Sequence, residues 1–169
     1  MILADALAVL RAVALIPVAW ALAADRRDIA LAIFLVAALT DALDGWLARR
    51  ARGLAPRGAF LDPIADKVLV VGTLIALAAV GSGWPATVVA IFAVAREGLV
   101  AFARARALLS GRILSADALA KAKTVIEMIG TALIVLGGRP WSVVGVTLVG
   151  VALLVGFITL PRYFAKPVA

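Results

Sequence analysis

The residues best suited to chemistry lie in one short stretch, TDALDGWLARRARGLAPRGAFLDPIADK at 40–67. Asp41, Asp44, Gly45 and Ala48 recur at i, i+3, i+4 and i+7, so two acids and two small residues share one helical face. Asp62 and Asp66, four apart, share a face of the following segment, with Gly58 one turn before Asp62. A short Arg-rich connection joins the two stretches, so four carboxylates converge at one end of a helical hairpin. An ionised carboxylate in an apolar layer costs about 2.5 kcal/mol or more, and four near one another also repel. Something cationic must compensate them. A pair of divalent ions does so, and oxygen-only ligation suits Mg²⁺ or Mn²⁺, usually together with substrate phosphates. Read singly, each acid has a structural alternative: Asp62-Pro63 is a helix cap followed by Pro at the first helical position, and Asp41 could pair with Arg49 or Arg50. Four acids at this spacing, interleaved with small residues, favour a ligand site.

Other chemistries are excluded by composition. The chain has no Cys and no His, which removes disulfides, thiol nucleophiles, imidazole bases and zinc or haem sites of the usual kind. A carboxylate is then the natural general base. Arg96, Arg104, Lys121 and Lys123 form a second, cationic set suited to a phosphorylated small molecule. Lys121 and Lys123 could instead mark the inner end of a span, and Arg96 could pair with Glu97 or Glu127.

The elements that position these groups follow from the apolar excess. Of 169 residues 65% are hydrophobic and 16% charged, against roughly 45–50% and roughly 25% in soluble domains. The expected product is an all-α integral membrane bundle forming a single domain over 1–169. Pro, Gly and charge divide it into six apolar segments near 2–24, 29–50, 58–80, 84–109, 116–137 and 140–160, each about the length of one span. Alternating spans sort the basic residues. Eleven (Arg49, Arg50, Arg52, Arg57, Arg104, Arg106, Arg112, Lys121, Lys123, Arg162, Lys166) fall on one side and three (Arg26, Arg27, Arg139) on the other. That bias puts both termini and the carboxylate hairpin on the cytoplasmic side of an inner membrane. The net charge of +7 suits an anionic leaflet and anionic substrates, not nucleic acid. No cleavable signal peptide is expected, because the first apolar run leads through Ala-Asp-Arg-Arg directly into a second. Arg11, Lys67 and Arg96 are left inside apolar stretches; Arg11 either faces the site, packs between helices or snorkels to the interface.

Residues 41–66 read D-x2-D-G-x2-A-R-x8-G-x3-D-x3-D, which resembles the signature of the CDP-alcohol phosphatidyltransferases. Asp41, Asp44, Gly45, Ala48, Arg49, Gly58, Asp62 and Asp66 fill the pattern, and the six-segment layout extends the resemblance to nearly the whole chain. The resemblance implies a homodimer of six-helix protomers. It also implies transfer of a phosphatidyl group from CDP-diacylglycerol to an alcohol, with release of CMP and two divalent cations as cofactors. Carried over by residue, it makes Asp41, Asp44 and Asp62 metal ligands and Asp66 a further ligand or the base for the acceptor hydroxyl. Gly45, Ala48 and Gly58 would line the nucleotide, and Arg49 would hold the pyrophosphate.

Further stretches resemble those members of the family that use glycerol 3-phosphate. They are GAFLDPIADKV at 58–68, Ala95-Arg96-Glu97 with Arg104 beyond, and Lys121-Ala122-Lys123-Thr124. Two features depart from such members: no Asn or Thr precedes Arg11, and Ala120 stands where a Gly commonly precedes the Lys pair. Within the family the alternatives are a CMP-forming cardiolipin synthase and a user of inositol phosphate. Outside it, a small cation transporter also clusters carboxylates between helices, though usually near the midplane with broken or repeated helices. A catalytically silent homologue acting as a scaffold would be expected to lose the costly buried acids first.

Overall fold

A computed structural model of the chain describes the backbone at residues 2–50, 62–109 and 118–161, and the side chains at 9–40, 67–107, 109 and 122–161. Every element among the described residues is an α-helix. They are α1 Ile2–Ala23, α2 Arg27–Arg50, α3 Asp62–Ala79, α4 Trp84–Leu109, α5 Ala118–Leu136 and α6 Arg139–Thr159. Their bounds agree with the expected segments to about two residues, except that the expected start at Gly58 lies outside the described residues.

Local chemistry explains the tight turns. After α1 the chain reverses at Asp25, in left-handed conformation with φ 55°. There the Arg26 amide donates to the Ala21 carbonyl at 2.8 Å and the Asp25 amide to the Leu22 carbonyl at 3.1 Å. This paired pattern satisfies the last helical carbonyls. α3 ends the same way at Gly81, φ 72°, with Ser82 donating to Leu77 at 3.0 Å and Gly81 to Ala78 at 3.1 Å. These two turns and the α5–α6 turn are drawn together by one side chain. Arg27, at the start of α2, donates to the Ser82 hydroxyl at 3.2 Å and to the Ile134 carbonyl at 3.4 Å.

Packing follows two rules. α5 and α6 cross at Gly130 and Gly145: a Cβ at Gly130 would stand 2.8 Å from the Gly145 carbonyl oxygen, and one at Gly145 would stand 2.5 Å from that of Gly130. Backbones meet where no side chain separates them, the means by which helices associate without a hydrophobic drive. Between the helices at the end of the bundle with the short turns lies an apolar core. It includes Val18, Leu22, Phe34, Leu74, Leu77 and Val149, all essentially inaccessible.

The outer surface is the reverse of a soluble protein's. Ile16, Trp20, Val36, Leu154 and Ile158 are each more than 60% exposed, whereas Arg11, Arg96, Lys123 and Glu127 are at most 5% exposed. Exposed apolar area of this extent marks contact with lipid or with another apolar surface. Trp20, Trp84 and Trp141, all well exposed, sit at the α1 C-terminus and the α4 and α6 N-termini, one level of the bundle. Such a ring suits the boundary between membrane and water. By length and composition two helices can cross a membrane, over Trp84–Ala107 and Arg139–Thr159. The apolar stretches of α1 and α3, Val9–Ala23 and Lys67–Ala79, are shorter. Charged residues interrupt the apolar character of these helices.

Candidate active site

The four signature acids are carried by two helices that meet at one end of the bundle. Asp41 and Asp44 lie in the C-terminal half of α2, in unbroken helix to Arg50, together with Gly45, Ala48 and Arg49. Asp62 opens α3 with Pro63 behind it, and Asp66 follows one turn on. Pro suits that position because its missing amide would have no helical partner there. The helical register that the i, i+3 and i, i+4 spacings require is therefore present. α2 and α3 contact each other, and α1 packs against both. The side chains of these acids, of Gly45, Ala48 and Arg49, and the whole of Gly58, lie outside the described residues. Among the described residues, no three or more His, Cys, Asp or Glu form a group able to hold a metal ion. The acids of α2 and α3 supply oxygen donors, the type a hard divalent cation prefers.

Directly after Asp66 the structure assembles a buried ion network. Lys67 on α3 reaches Glu97 of α4 at 3.3 Å and Glu127 of α5 at 3.6 Å. Lys123 on α5 reaches Glu127 at 2.6 Å and Glu97 at 3.5 Å. Two lysines and two glutamates thus alternate in a ring across three helices. Arg96 donates through Nη1 to Glu97, and the Lys67 ammonium donates to the Thr124 hydroxyl at 3.3 Å. Within this group, among the described residues, three cations face two carboxylates, a formal charge of +1 for the five side chains. Arg96, Lys123 and Glu127 are each at least 95% buried. Charges so far from water persist only when paired, and an excess of one cation is an invitation to an anion. The Arg96 Nε is buried and has no hydrogen-bond partner among the described residues.

The cationic set expected for a phosphorylated ligand is brought together in part. Arg96 and Lys123 meet in the network. Arg104 lies eight residues along α4 from Arg96, about 12 Å in helical rise, and among the described residues no ion pair links it to the network. Lys121 is on α5 but two positions from Lys123, about 200° around the helix, and its side chain is outside the described residues. Arg96 does pair with Glu97, as its structural alternative had it, whereas Lys123 is buried and pairs with Glu127 and Glu97 instead of only marking the inner end of a span. Arg11, at 1% exposure, is buried and does not snorkel.

Sequence reasoning left Lys67 unassigned and gave Glu97 and Glu127 only the part of partners. The i, i+4 spacing of Lys123 and Glu127 carried a signal for one side of the ring. Its closure through Lys67 and Glu97 depends on how α3, α4 and α5 pack.

A helical bundle with an apolar exterior, an ion-paired interior and a carboxylate hairpin at one end defines a membrane-type protein with a polar site inside it. The chain belongs to the CDP-alcohol phosphatidyltransferase family, whose family model matches residues 1–158. It is similar to the CDP-diacylglycerol–glycerol-3-phosphate 3-phosphatidyltransferase of Sodalis glossinidius, 36% identical over 136 residues covering 78% of this chain and 74% of that protein. The protein of the same name from Bacillus subtilis is 33% identical over 138 residues, 79% of this chain and 70% of the relative. A chloroplastic/mitochondrial protein of that name from Arabidopsis thaliana is 43% identical over 116 residues, 62% of this chain and 38% of its own length.

Proposed function

We propose that the chain transfers the phosphatidyl group of CDP-diacylglycerol to glycerol 3-phosphate, releasing CMP, as a step of phospholipid biosynthesis. The names of its relatives supply the substrates, glycerol 3-phosphate included, and one structural observation supports an acceptor that carries a phosphate. The buried network of Lys67, Arg96, Lys123, Glu97 and Glu127 holds a surplus cation next in sequence to Asp66. A phosphorylated alcohol satisfies that surplus, whereas an acceptor without a phosphate leaves it uncompensated.

In this reading the acceptor phosphate is held by Arg96 and Lys123, with Arg104 and Lys121 at the cytoplasmic ends of α4 and α5 guiding it inward. Asp66 takes the proton from the acceptor hydroxyl. The hydroxyl oxygen forms a bond to the phosphorus that carries the diacylglycerol. The bond from that phosphorus to the bridging oxygen breaks, and the oxygen leaves with its electron pair on CMP. Gly45, Ala48 and Gly58 give the nucleotide room, and Arg49 binds the pyrophosphate through the paired donors of its guanidinium. Asp41, Asp44, Asp62 and Asp66 would hold two divalent cations, Mg²⁺ or Mn²⁺, which when bound offset the pyrophosphate charge.

The proposal includes six spans in an inner membrane, with both termini and the site cytoplasmic and two copies of the chain in the working unit. The inverted surface and the level of exposed Trp support membrane immersion of the whole bundle. The deciding experiment is CMP release by purified protein given CDP-diacylglycerol, Mg²⁺ or Mn²⁺, and a panel of acceptors. Release with glycerol 3-phosphate, and little with phosphatidylglycerol or inositol phosphate, is the expected outcome. Release that requires inositol phosphate or phosphatidylglycerol reassigns the acceptor, and no release with any acceptor rejects the enzymatic reading.

A further inference from the structure

The network is walled on one side by a residue with no side chain. Gly156 of α6 is buried against it: a Cβ there would stand 2.6 Å from Lys123 Cε, 2.9 Å from Arg96 Nε and 3.2 Å from Lys123 Cδ. No real Cβ tolerates the first two distances. A methyl group at 156 must therefore displace Lys123 or Arg96, or push α6 away from α4 and α5.

The second escape is blocked by neighbouring contacts. Phe157, next to Gly156, packs its ring edge to face on Phe92 of α4, centroids 6.2 Å apart and planes at 89°. Phe92 lies one turn before Arg96, so this contact holds α4 and α6 in register beside the glycine. Farther along α6 the Gly145–Gly130 crossing holds it against α5 with the backbones touching. Thr159 donates to the carbonyls of Val155 at 2.9 Å and Gly156 at 3.1 Å, tying the last turn to the glycine. Close-packed helices fastened on both sides do not shift to admit one methyl group, whereas two long side chains can rotate.

We propose that Gly156 is a positioning residue for acceptor recognition: its missing side chain lets Lys123 and Arg96 carry their charges where the acceptor phosphate binds. This rests on the acceptor reading above. Adding a methyl group leaves both charges in the protein but moves them by about 1 Å, a displacement that can cost up to about a hundredfold in a preorganised site.

The test is kinetic and uses the full chain in detergent micelles or lipid nanodiscs. Gly156→Ala is expected to raise KM for glycerol 3-phosphate roughly tenfold while KM for CDP-diacylglycerol and the melting temperature stay near wild type. Gly150→Ala, on the same helix with open space around the added Cβ, changes none of these. In a Lys123→Ala background the Gly156→Ala change raises KM by less than it does in the wild-type background, because the nearest atom it displaces is gone and only the contact with Arg96 Nε at 2.9 Å remains. If Gly156→Ala alone unfolds, folding of the double variant supports the proposal and unfolding of both makes Gly156 a packing residue. Equal KM shifts in the two backgrounds, or none in either, also overturn it. A wild-type chain that releases no CMP with glycerol 3-phosphate rejects the acceptor reading instead; an active wild type matched by Gly156→Ala rejects only the role of the glycine.

Discussion

The two ends of the bundle are built from the same six helices and opposite interiors. At the end with the short turns, Val18, Leu22, Phe34, Leu74 and Leu77 fill the space between helices, and Arg27 draws the three turns together from outside. Toward the other end the same helices turn Lys67, Arg96, Glu97, Lys123 and Glu127 inward, with Arg11 also buried. In a lipid-like surrounding the apolar filling gains little from hydrophobicity and acts through close packing. The ionic filling is costly unless every charge is compensated. One end is thus organised to hold the helices in place, and the other uses that fixed frame to keep buried charges paired.

Substitutions at the two ends should separate these roles. The largest effect is expected from Asp66→Asn: CMP release falls by roughly a thousandfold, the loss typical of a missing general base, while melting of the purified protein is little changed. Retained activity would remove Asp66 from the chemistry. Next comes Glu127→Leu, which leaves the Lys123 ammonium buried with one partner fewer and costs about 3–5 kcal/mol in stability. Joint replacement, Lys123→Met with Glu127→Leu, should restore much of that stability without restoring acceptor binding. Recovery of both by the double variant would show the network to be a scaffold alone.

At the turn end the pattern should reverse. Leu74→Ala, at 1% exposure, opens a cavity and costs about 2 kcal/mol, near the low end for such changes because lipid already solvates the unpacked chain. Its kcat per folded molecule should match wild type, so a specific loss of turnover would tie the apolar core to the chemistry. The smallest effect is expected for Arg27→Ala, about 1 kcal/mol, read as a modest fall in melting temperature with KM unchanged for both substrates.

Much of the frame was legible in the chain itself. Apolar runs broken by Asp-Arg-Arg-Asp, Gly-Ser-Gly and Gly-Gly-Arg-Pro mark helix ends because these residues supply left-handed turns, caps and charge, all local properties. The acids of the candidate site were legible for the same reason: i, i+3 and i, i+4 spacings translate into a shared helical face without knowledge of any neighbour. The ring of Lys67, Glu97, Lys123 and Glu127 was not, because three of its four links join different helices. Nor did Gly156 stand out among the 14 glycines; its significance is a distance to side chains on α4 and α5.

The sequence by itself determined the all-α character, the helix bounds, the membership signature and the side of the bundle that carries the acids, since each is a matter of composition or of spacing along one helix. Only the tertiary structure decided which charges compensate one another and which glycine leaves them room. Those outcomes depend on how separate helices rotate and approach, and contacts between residues as far apart as Lys67 and Glu127 exist only once the bundle has closed.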